Sequence, residues 1–166
     1  SKDCPAFGGV YKLAAIEKDG TYIPKIKLSE NQWKITNPGN KTIYRVYEKE
    51  TGKIKADLIA LDYEKFSEEN PLQLFDPIST WKKTYLKAGS YTLKELLVPI
   101  FKGGKCVYSS PEVMEIRNYC QQQLNTLWDE TRRLINPHNV YIDLSHELWH
   151  LKNKLLDNIN SGRERE

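Results

Sequence analysis

The chain has 166 residues, a length that suits one folded domain with a hydrophobic core and is short for two. Its 25 Lys and Arg residues against 22 Asp and Glu residues give a net charge of only +3. Most of the positive residues are Lys and are scattered among acidic residues. Nucleic-acid-binding domains, in contrast, concentrate Lys and Arg on one face. Because the chain also lacks an apolar run long enough to span a bilayer, we expect neither a nucleic-acid partner nor a membrane partner.

The first residues, "SKDCPAFGG", contain no basic segment followed by an apolar one, so they do not have the pattern of a signal peptide. The chain lacks an initiator Met and enters a strand-like run within a few residues, which indicates a piece of a larger protein. Cys4, Cys106 and Cys120 are odd in number and share no C-x-x-C spacing. This usage is typical of free thiols in a cytoplasmic protein rather than of disulfides or zinc ligands.

Pairs of strand-like runs joined by turn signals occupy the chain up to Tyr108. Residues 10–16 and 22–28 flank Asp19-Gly20, residues 42–48 and 54–62 flank a turn at Gly52, and residues 96–101 and 105–109 flank Gly103-Gly104. Residues 29–41 and 67–81, rich in Asn and Pro, are interpreted as irregular connectors. Sequential hairpins of this kind predict a largely antiparallel sheet.

From Ser109 the apolar period changes to that of a helix. Ser110 is a candidate N-cap, Pro111 suits the first turn, and Glu112 favours the positive end of the helix. The face predicted to be buried carries Val113, Ile116, Cys120, Leu124 and Leu127. The helix is expected to stop near Pro137, where continuation is disfavoured.

After the apolar run "VYIDL", a second helix follows, with Asp143 or Ser145 as its cap. The predicted fold class is therefore α+β, with a hairpin-rich, largely antiparallel β region followed by two amphipathic C-terminal helices. We predict one domain over residues 1–166, made of a β-rich part (1–108), a helical part (109–161) and a polar tail (162–166).

The final helix contains His146, Glu147 and His150 in the spacing H-E-x-x-H of zinc peptidases, in which two imidazoles bind Zn²⁺ and the Glu activates a water. On a helical wheel, the apolar stripe consists of Leu144, Leu148, Leu151, Leu155 and Ile159. The two His lie on the opposite side with Asn153 and Asp157. No third ligand follows at the metzincin spacing, although His138 stays open as a remote ligand. We predict a solvated helix face without a metal, and keep the zinc peptidase as an alternative.

Two features near the start of the chain are candidates for contact with a ligand. Gly8-Gly9 lacks the pattern of a phosphate-binding loop and suits a bend before a strand. Strand alternation places Lys12 on the same face as Val10, Ala14 and Ile16, so this Lys either reaches water at the rim of the sheet or meets an anion. All the His lie in the helical part, so no catalytic Ser-His or Cys-His set is predicted.

The chain resembles the C-terminal region of nicotinate phosphoribosyltransferase in its bacterial form, over essentially its whole length. The words that carry the resemblance are, in order, "CPAFGGVYKL", "PKIKLSEN", "KITNPGNKTIYRVY", "ELLVPIF", "SPEVMEIRNYCQQQL", "RRLINPHNVYIDLS" and "LWHLK". The resemblance implies an enzyme of NAD salvage that joins nicotinate to phosphoribosyl pyrophosphate, giving nicotinate mononucleotide and pyrophosphate, with ATP hydrolysis coupled through a phosphorylated His. It also implies a Mg²⁺-dependent type II phosphoribosyltransferase, usually dimeric, with an α/β barrel.

In that family the catalytic His, the nicotinate-binding residues and the phosphate-gripping glycine loop precede "GGVYKL". The resemblance therefore implies that no catalytic residue lies in this chain, that the chain is inactive by itself, and that it needs no cofactor of its own. None of its His matches the phosphorylated position.

The resemblance also implies that the strand carrying Gly9 and Lys12 follows the phosphate loop, which makes both residues candidates for the vicinity of the phosphate. Lys27, Ser29 and Lys34 fall in family-like words too, and loop packing explains them equally well. The leading hypothesis is a domain that packs against the catalytic barrel of the same protein and borders its active site. The alternative is an independent protein-interaction module.

Overall fold

The computed structural model describes residues 9–79 and 81–162, which form a mixed α+β fold with more sheet than helix. The strands are β1 Ala15–Lys18, β2 Thr21–Pro24, β3 Lys41–Glu48, β4 Ile54–Leu61, β5 Leu72–Phe75, β6 Lys83–Leu86, β7 Tyr91–Glu95, β8 Phe101–Lys102, β9 Lys105–Cys106 and β10 Tyr141–Leu144. The helices are α1 Val113–Asn125, α2 Asp129–Arg132 and α3 His146–Asn160, with a 3₁₀ turn at Gln32–Lys34. The predicted α+β class is confirmed.

The described residues fall into two compact units. The amino-terminal unit combines parts of residues 1–40 and 151–166, and the sheet unit covers residues 41–150. Helix α3 contributes to both. The predicted boundaries at residues 108 and 161 stay a prediction, and β10 adds a strand within the part that was expected to be helical. In the described ranges every helix is too short or too polar to cross a bilayer.

The sheet unit is built on a six-stranded sheet of order β6-β5-β10-β4-β3-β7. The β3–β4 hairpin supplies its longest strands, and Gly52 takes the positive φ of 67° that the turn between them requires. Strand β10 pairs in parallel with β4, whereas the other pairings are antiparallel. The predicted antiparallel arrangement therefore holds for all but one pairing.

One face of this sheet forms the main core. Strand alternation sends every second side chain to that face, and the buried cluster consists of Tyr44, Val46, Ala56, Leu58, Ala60, Leu72, Leu74, Leu86 and Tyr91. The Tyr91 hydroxyl shares its one proton between the carbonyl oxygens of Ser67 (3.0 Å) and Asn70 (2.8 Å), which fixes the loop before β5. On the opposite face, Leu144 and Leu148 are fully buried.

The hairpin turns were predicted correctly, but several strands differ from the sequence-based interpretation. Strands β1 and β2 are shorter than residues 10–16 and 22–28, and their turn has φ of 51° at Asp19 and 74° at Gly20. The interpretation of residues 67–81 as an irregular connector was wrong, because β5 lies inside it. Strands β6 and β7 had not been predicted.

Helix α1 begins later and ends earlier than predicted. Glu112, not Ser110, is its N-cap, because Glu112 and Glu115 form a reciprocal capping box. The helix ends at Asn125, well before Pro137. The prediction that one face of α1 is buried was also wrong for the described residues. None of the α1 residues is buried there, and Val113 is 77% exposed.

Ser145, rather than Asp143, caps α3. Its Oγ accepts a hydrogen bond from the backbone N–H of Leu148 (3.2 Å) and donates one to Oε2 of Glu64 (2.6 Å). Leu148 is fully buried and Leu151 and Leu155 are partly buried, as the predicted stripe requires. His146 and His150 are exposed, as expected.

Candidate functional site

Gly9 and Lys12, the candidate phosphate-vicinity residues, are exposed in the amino-terminal unit. Residues 9–14 have no strand pairing, so the interpretation of residues 10–14 as strand was wrong. Val10 is 89% exposed, and Lys12 therefore does not share a buried apolar face with it. A Cβ at Gly9 would meet no described atom within 4 Å, so the surroundings leave this position open. Their contact with a phosphate stays a prediction.

The segment carrying Lys12 is anchored just beyond it. The carbonyl of Ala14 accepts two backbone hydrogen bonds, from Lys25 at 2.8 Å and from Gly39 at 2.7 Å. This double contact fixes the path of the chain at the entrance to β1. The anchor lies two residues after Lys12, which is itself exposed.

Of the other family-like residues, Lys27 and Ser29 make local backbone contacts. The N–H of Lys27 donates to Oγ1 of Thr36 at 2.8 Å, and Oγ of Ser29 accepts from the N–H of Asn31 at 3.3 Å. These contacts support the loop-packing explanation for both residues. Lys34, the last residue of the 3₁₀ turn, is exposed.

A group of large apolar side chains is exposed in the same unit. This amino-terminal apolar surface consists of Val10, Tyr11, Leu13, Ile16, Tyr22, Ile23, Leu28 and Trp33. Tyr11 and Trp33 are 84% and 81% exposed, respectively. Scattered exposed apolar residues are common, but a concentration within so short a stretch is typical of a surface that contacts another protein or domain.

Lys152, in the last helix, is a buried charge that the sequence analysis did not identify. It is 7% exposed, and its Nζ donates a hydrogen bond to Oδ1 of Asn37 at 3.0 Å within the amino-terminal unit. Burial lowers the pKa of this ammonium group. The only sequence signal for the contact was that both residues lie in family-like words, "NPG" and "LWHLK".

The H-E-x-x-H residues form an exposed group on α3. The rings of His146 and His150 are nearly parallel, with centroids 6.3 Å apart, and Nδ1 of His146 lies 3.4 Å from a carboxylate oxygen of Glu147. The His146 ring also packs beside Phe75, at 5.4 Å between centroids. In the ranges that the structure describes, no three His, Cys, Asp or Glu side chains cluster as a metal site would require.

Comparison with known proteins gives the family directly. A family model for the nicotinate phosphoribosyltransferase C-terminal domain matches residues 40–152. The chain belongs to this family. The nicotinate phosphoribosyltransferase of Bacillus subtilis is 35% identical over 99% of this chain, and that of Dictyostelium discoideum is 31% identical over 93%. The resemblance inferred from the sequence words is confirmed.

The structural comparison agrees with this family. A crystal structure of human nicotinic acid phosphoribosyltransferase matches 73% of this chain with a TM-score of 0.65 and 25% identity. The match covers only 24% of the human chain, and this chain spans 33% of the Bacillus protein. The region that is shared with the family is therefore a C-terminal portion that spans about a quarter to a third of the length of these relatives.

Proposed function

We propose that this chain is the C-terminal portion of an NAD-salvage enzyme that converts nicotinate and phosphoribosyl pyrophosphate, with ATP hydrolysis, to nicotinate mononucleotide and pyrophosphate. The observation that supports this most directly is the 35% identity to the Bacillus nicotinate phosphoribosyltransferase over 99% of the chain. In this proposal Mg²⁺ and ATP serve the whole enzyme, which is a cytoplasmic homodimer, and this domain needs no cofactor of its own.

Within that enzyme, the domain packs against the catalytic barrel of the same protein. The amino-terminal apolar surface supports this arrangement, because burying such side chains against another domain removes them from water. The sheet unit offers a further exposed group, made of Leu97, Val98, Ile100, Phe101, Val107, Tyr108, Val113 and Met114. An independent interaction module is the alternative, and it would have a closed, polar surface over the same residues.

An activity measurement tests whether catalysis requires the upstream barrel in addition to this domain. The 166-residue chain is expected to make no nicotinate mononucleotide from nicotinate, phosphoribosyl pyrophosphate and ATP, whereas a polypeptide that also contains the upstream barrel is expected to make it. Product formation is measured by chromatography. Turnover by the 166-residue chain would contradict the proposal that this domain is inactive by itself. An inactive longer polypeptide would contradict the proposed reaction.

Lys12 borders the phosphate end of the active site in this proposal. The Lys12→Met substitution removes one positive charge, and it is expected to raise KM for phosphoribosyl pyrophosphate about tenfold in the longer polypeptide, which corresponds to the loss of about 1.4 kcal/mol of binding. Lys18→Met, at the exposed end of β1, is the matched control and should leave KM unchanged. Equal effects of the two substitutions would place Lys12 away from the substrate.

A further inference from the structure

A cleft beside β10, entirely within the sheet unit, has a chemistry that the proposed function does not use. Its volume is about 540 Å³. The apolar walls are formed by Ile54, Ala56, Leu74, Leu86, Trp128 and Val140. Asp143 contributes a carboxylate to this apolar wall.

The position of Asp143 follows from strand alternation in β10. In the parallel register, Tyr141 lies opposite Ala56 and Asp143 opposite Leu58, so both β10 residues lie on the core face of the sheet. Asp143 is only 5% exposed. Among the residues that the structure describes, its carboxylate accepts no side-chain hydrogen bond and forms no ion pair. The carboxylate lines the cleft, so a ligand bound there can supply the hydrogen bonds that the described side chains do not.

The nearest charged groups do not satisfy the Asp143 carboxylate. Nζ of Lys82 lies 3.9 Å from Oδ2 of Asp76 and 4.5 Å from the centre of the Tyr141 ring. Burial raises the pKa of Asp143, repulsion from Asp76 raises it further, and Lys82 opposes both effects from a distance. The other charged or titratable side chains that line the cleft are Lys55, Glu130, His138 and Tyr141.

We propose that this cleft binds a flat organic cation, an amidinium or guanidinium group, through the Asp143 carboxylate, with the apolar body of the ligand against Trp128, Leu74 and Leu86. Two parallel N–H donors match the two carboxylate oxygens, and charge-assisted bonds of this kind are stronger than neutral ones. The ring of Trp128 adds a flat wall, and its indole N–H is already used by the carbonyl of Ile54 at 2.8 Å. The cation can be a free small molecule or an arginine side chain of another part of the protein.

Three ligands of nearly equal shape test the charge requirement on the 166-residue chain: benzamidine (cationic), benzamide (neutral) and benzoate (anionic). Isothermal titration calorimetry is expected to show benzamidine binding at least tenfold more tightly than benzamide, with benzoate weakest. Because this comparison needs no substitution, it does not depend on the folding of a variant. Equal affinities for benzamidine and benzamide would overturn the proposal, and so would no binding of benzamidine. The absence of benzamidine binding would be explained if Lys82 turned inward and paired with Asp143.

Asp143→Asn tests which residue is responsible, because it removes the charge at nearly constant size. It is expected to bring the benzamidine-to-benzamide affinity ratio close to one. Glu130→Gln, on the same cleft, is the control and should leave the ratio unchanged. A loss of discrimination in the Glu130 variant alone would assign the cation to Glu130 and overturn the role of Asp143.

The source of the cation is resolved by repeating the titration with a polypeptide that includes the upstream barrel. Binding to both proteins identifies a site for a free ligand, whereas binding only to the 166-residue chain shows that an arginine of the longer protein already occupies the cleft. Neither result depends on nicotinate turnover. If benzamidine does not bind, the proposed enzyme function is unaffected, and if the enzyme assay fails, the proposed cation site is unaffected.

Discussion

At the scale of single residues, Arg45 and Asp57 form a well-defined ion pair in the described residues. Nε and Nη2 of Arg45 donate to the two carboxylate oxygens of Asp57 at 2.8 and 2.9 Å, and the residues lie directly opposite each other on β3 and β4. Their side chains are only 23% and 16% exposed. Because the pair is bidentate and partly shielded from water, it should contribute more than an ordinary surface ion pair.

We predict that Arg45→Met lowers the free energy of unfolding by about 2 kcal/mol, since it leaves Asp57 desolvated without its partner. Urea denaturation followed by circular dichroism measures the loss. Lys55→Met, which removes the more exposed partner of Glu48 on the same hairpin, should cost less. In the Arg45→Met/Asp57→Leu double variant the loss should be smaller than the sum of the single losses. Additive losses would show that the pair contributes no coupling energy.

Asp143 should make stability depend on pH in a characteristic direction. Its pKa is raised above the ordinary value of 3.8, mainly by burial, so the folded state holds its proton to higher pH than the unfolded state. The penalty is absent below 3.8, where the carboxyl is protonated in both states, and stability is lost as pH rises through the window between 3.8 and the raised pKa. We predict that Asp143→Asn stabilises the chain, relative to the unsubstituted protein, more at neutral pH than near pH 4. Thermal unfolding measures this difference, and a constant difference would contradict it.

At the scale of elements, the start of α3 depends on one buried hydroxyl. Ser145 is 1% exposed and satisfies both the Leu148 N–H and a carboxylate oxygen of Glu64, which also accepts the N–H of Leu61 at 2.7 Å. We predict that Ser145→Ala lowers the free energy of unfolding by about 1 to 2 kcal/mol. Ser161→Ala, after the opposite end of the helix, where Oγ is exposed, is the control and should change it by less than about 0.5 kcal/mol. Equal losses would mean that the cap does not stabilise the helix.

The elements that the sequence could predict are those defined by neighbours in the chain. The Asp19-Gly20 turn and the apolar stripe of α3 depend on local spacing, and both were found. Strand β10 lies in the apolar run at residues 140–144, but it is only four residues long and pairs with distant β4, so the local pattern did not identify it as a strand. The amphipathic series of α1 was visible, but whether a partner covers it depends on residues far away or outside the chain.

The candidate sites were predictable to a similar extent. The helical wheel identified His146 and His150 as solvent-facing because helix geometry is regular. Lys12 was assigned to a strand face by alternation, and that argument fails when the residues before Ala15 have no pairing partner. Asp143 and Lys152 were not recognised as buried charges, because burial on a sheet or helix face is set by tertiary packing.

At the scale of the whole molecule, the exposed apolar side chains dominate the expected behaviour of the isolated chain. We predict that the 166-residue chain enhances the fluorescence of an apolar dye. The Val10→Ser/Tyr11→Ser double variant should reduce this signal without altering the circular dichroism spectrum, because it removes two of the most exposed apolar side chains. Tyr63→Ser, which removes an exposed aromatic residue flanked by acids, is the control. Equal reductions would argue against a localised docking surface.

The central position of β10 constrains how the protein is made. Leu144 provides the register pairing through which the β5–β6 hairpin joins the rest of the sheet, at Phe75, and Tyr141 pairs with Ala56 from about half the chain away. The ribosome must therefore have synthesised the chain as far as Leu144 before the sheet can close, and until then β4 presents an open edge. Long-range pairing of this kind slows folding and leaves strand edges exposed to aggregation. Among the strands of this sheet, the one synthesised last is the one that joins its two halves.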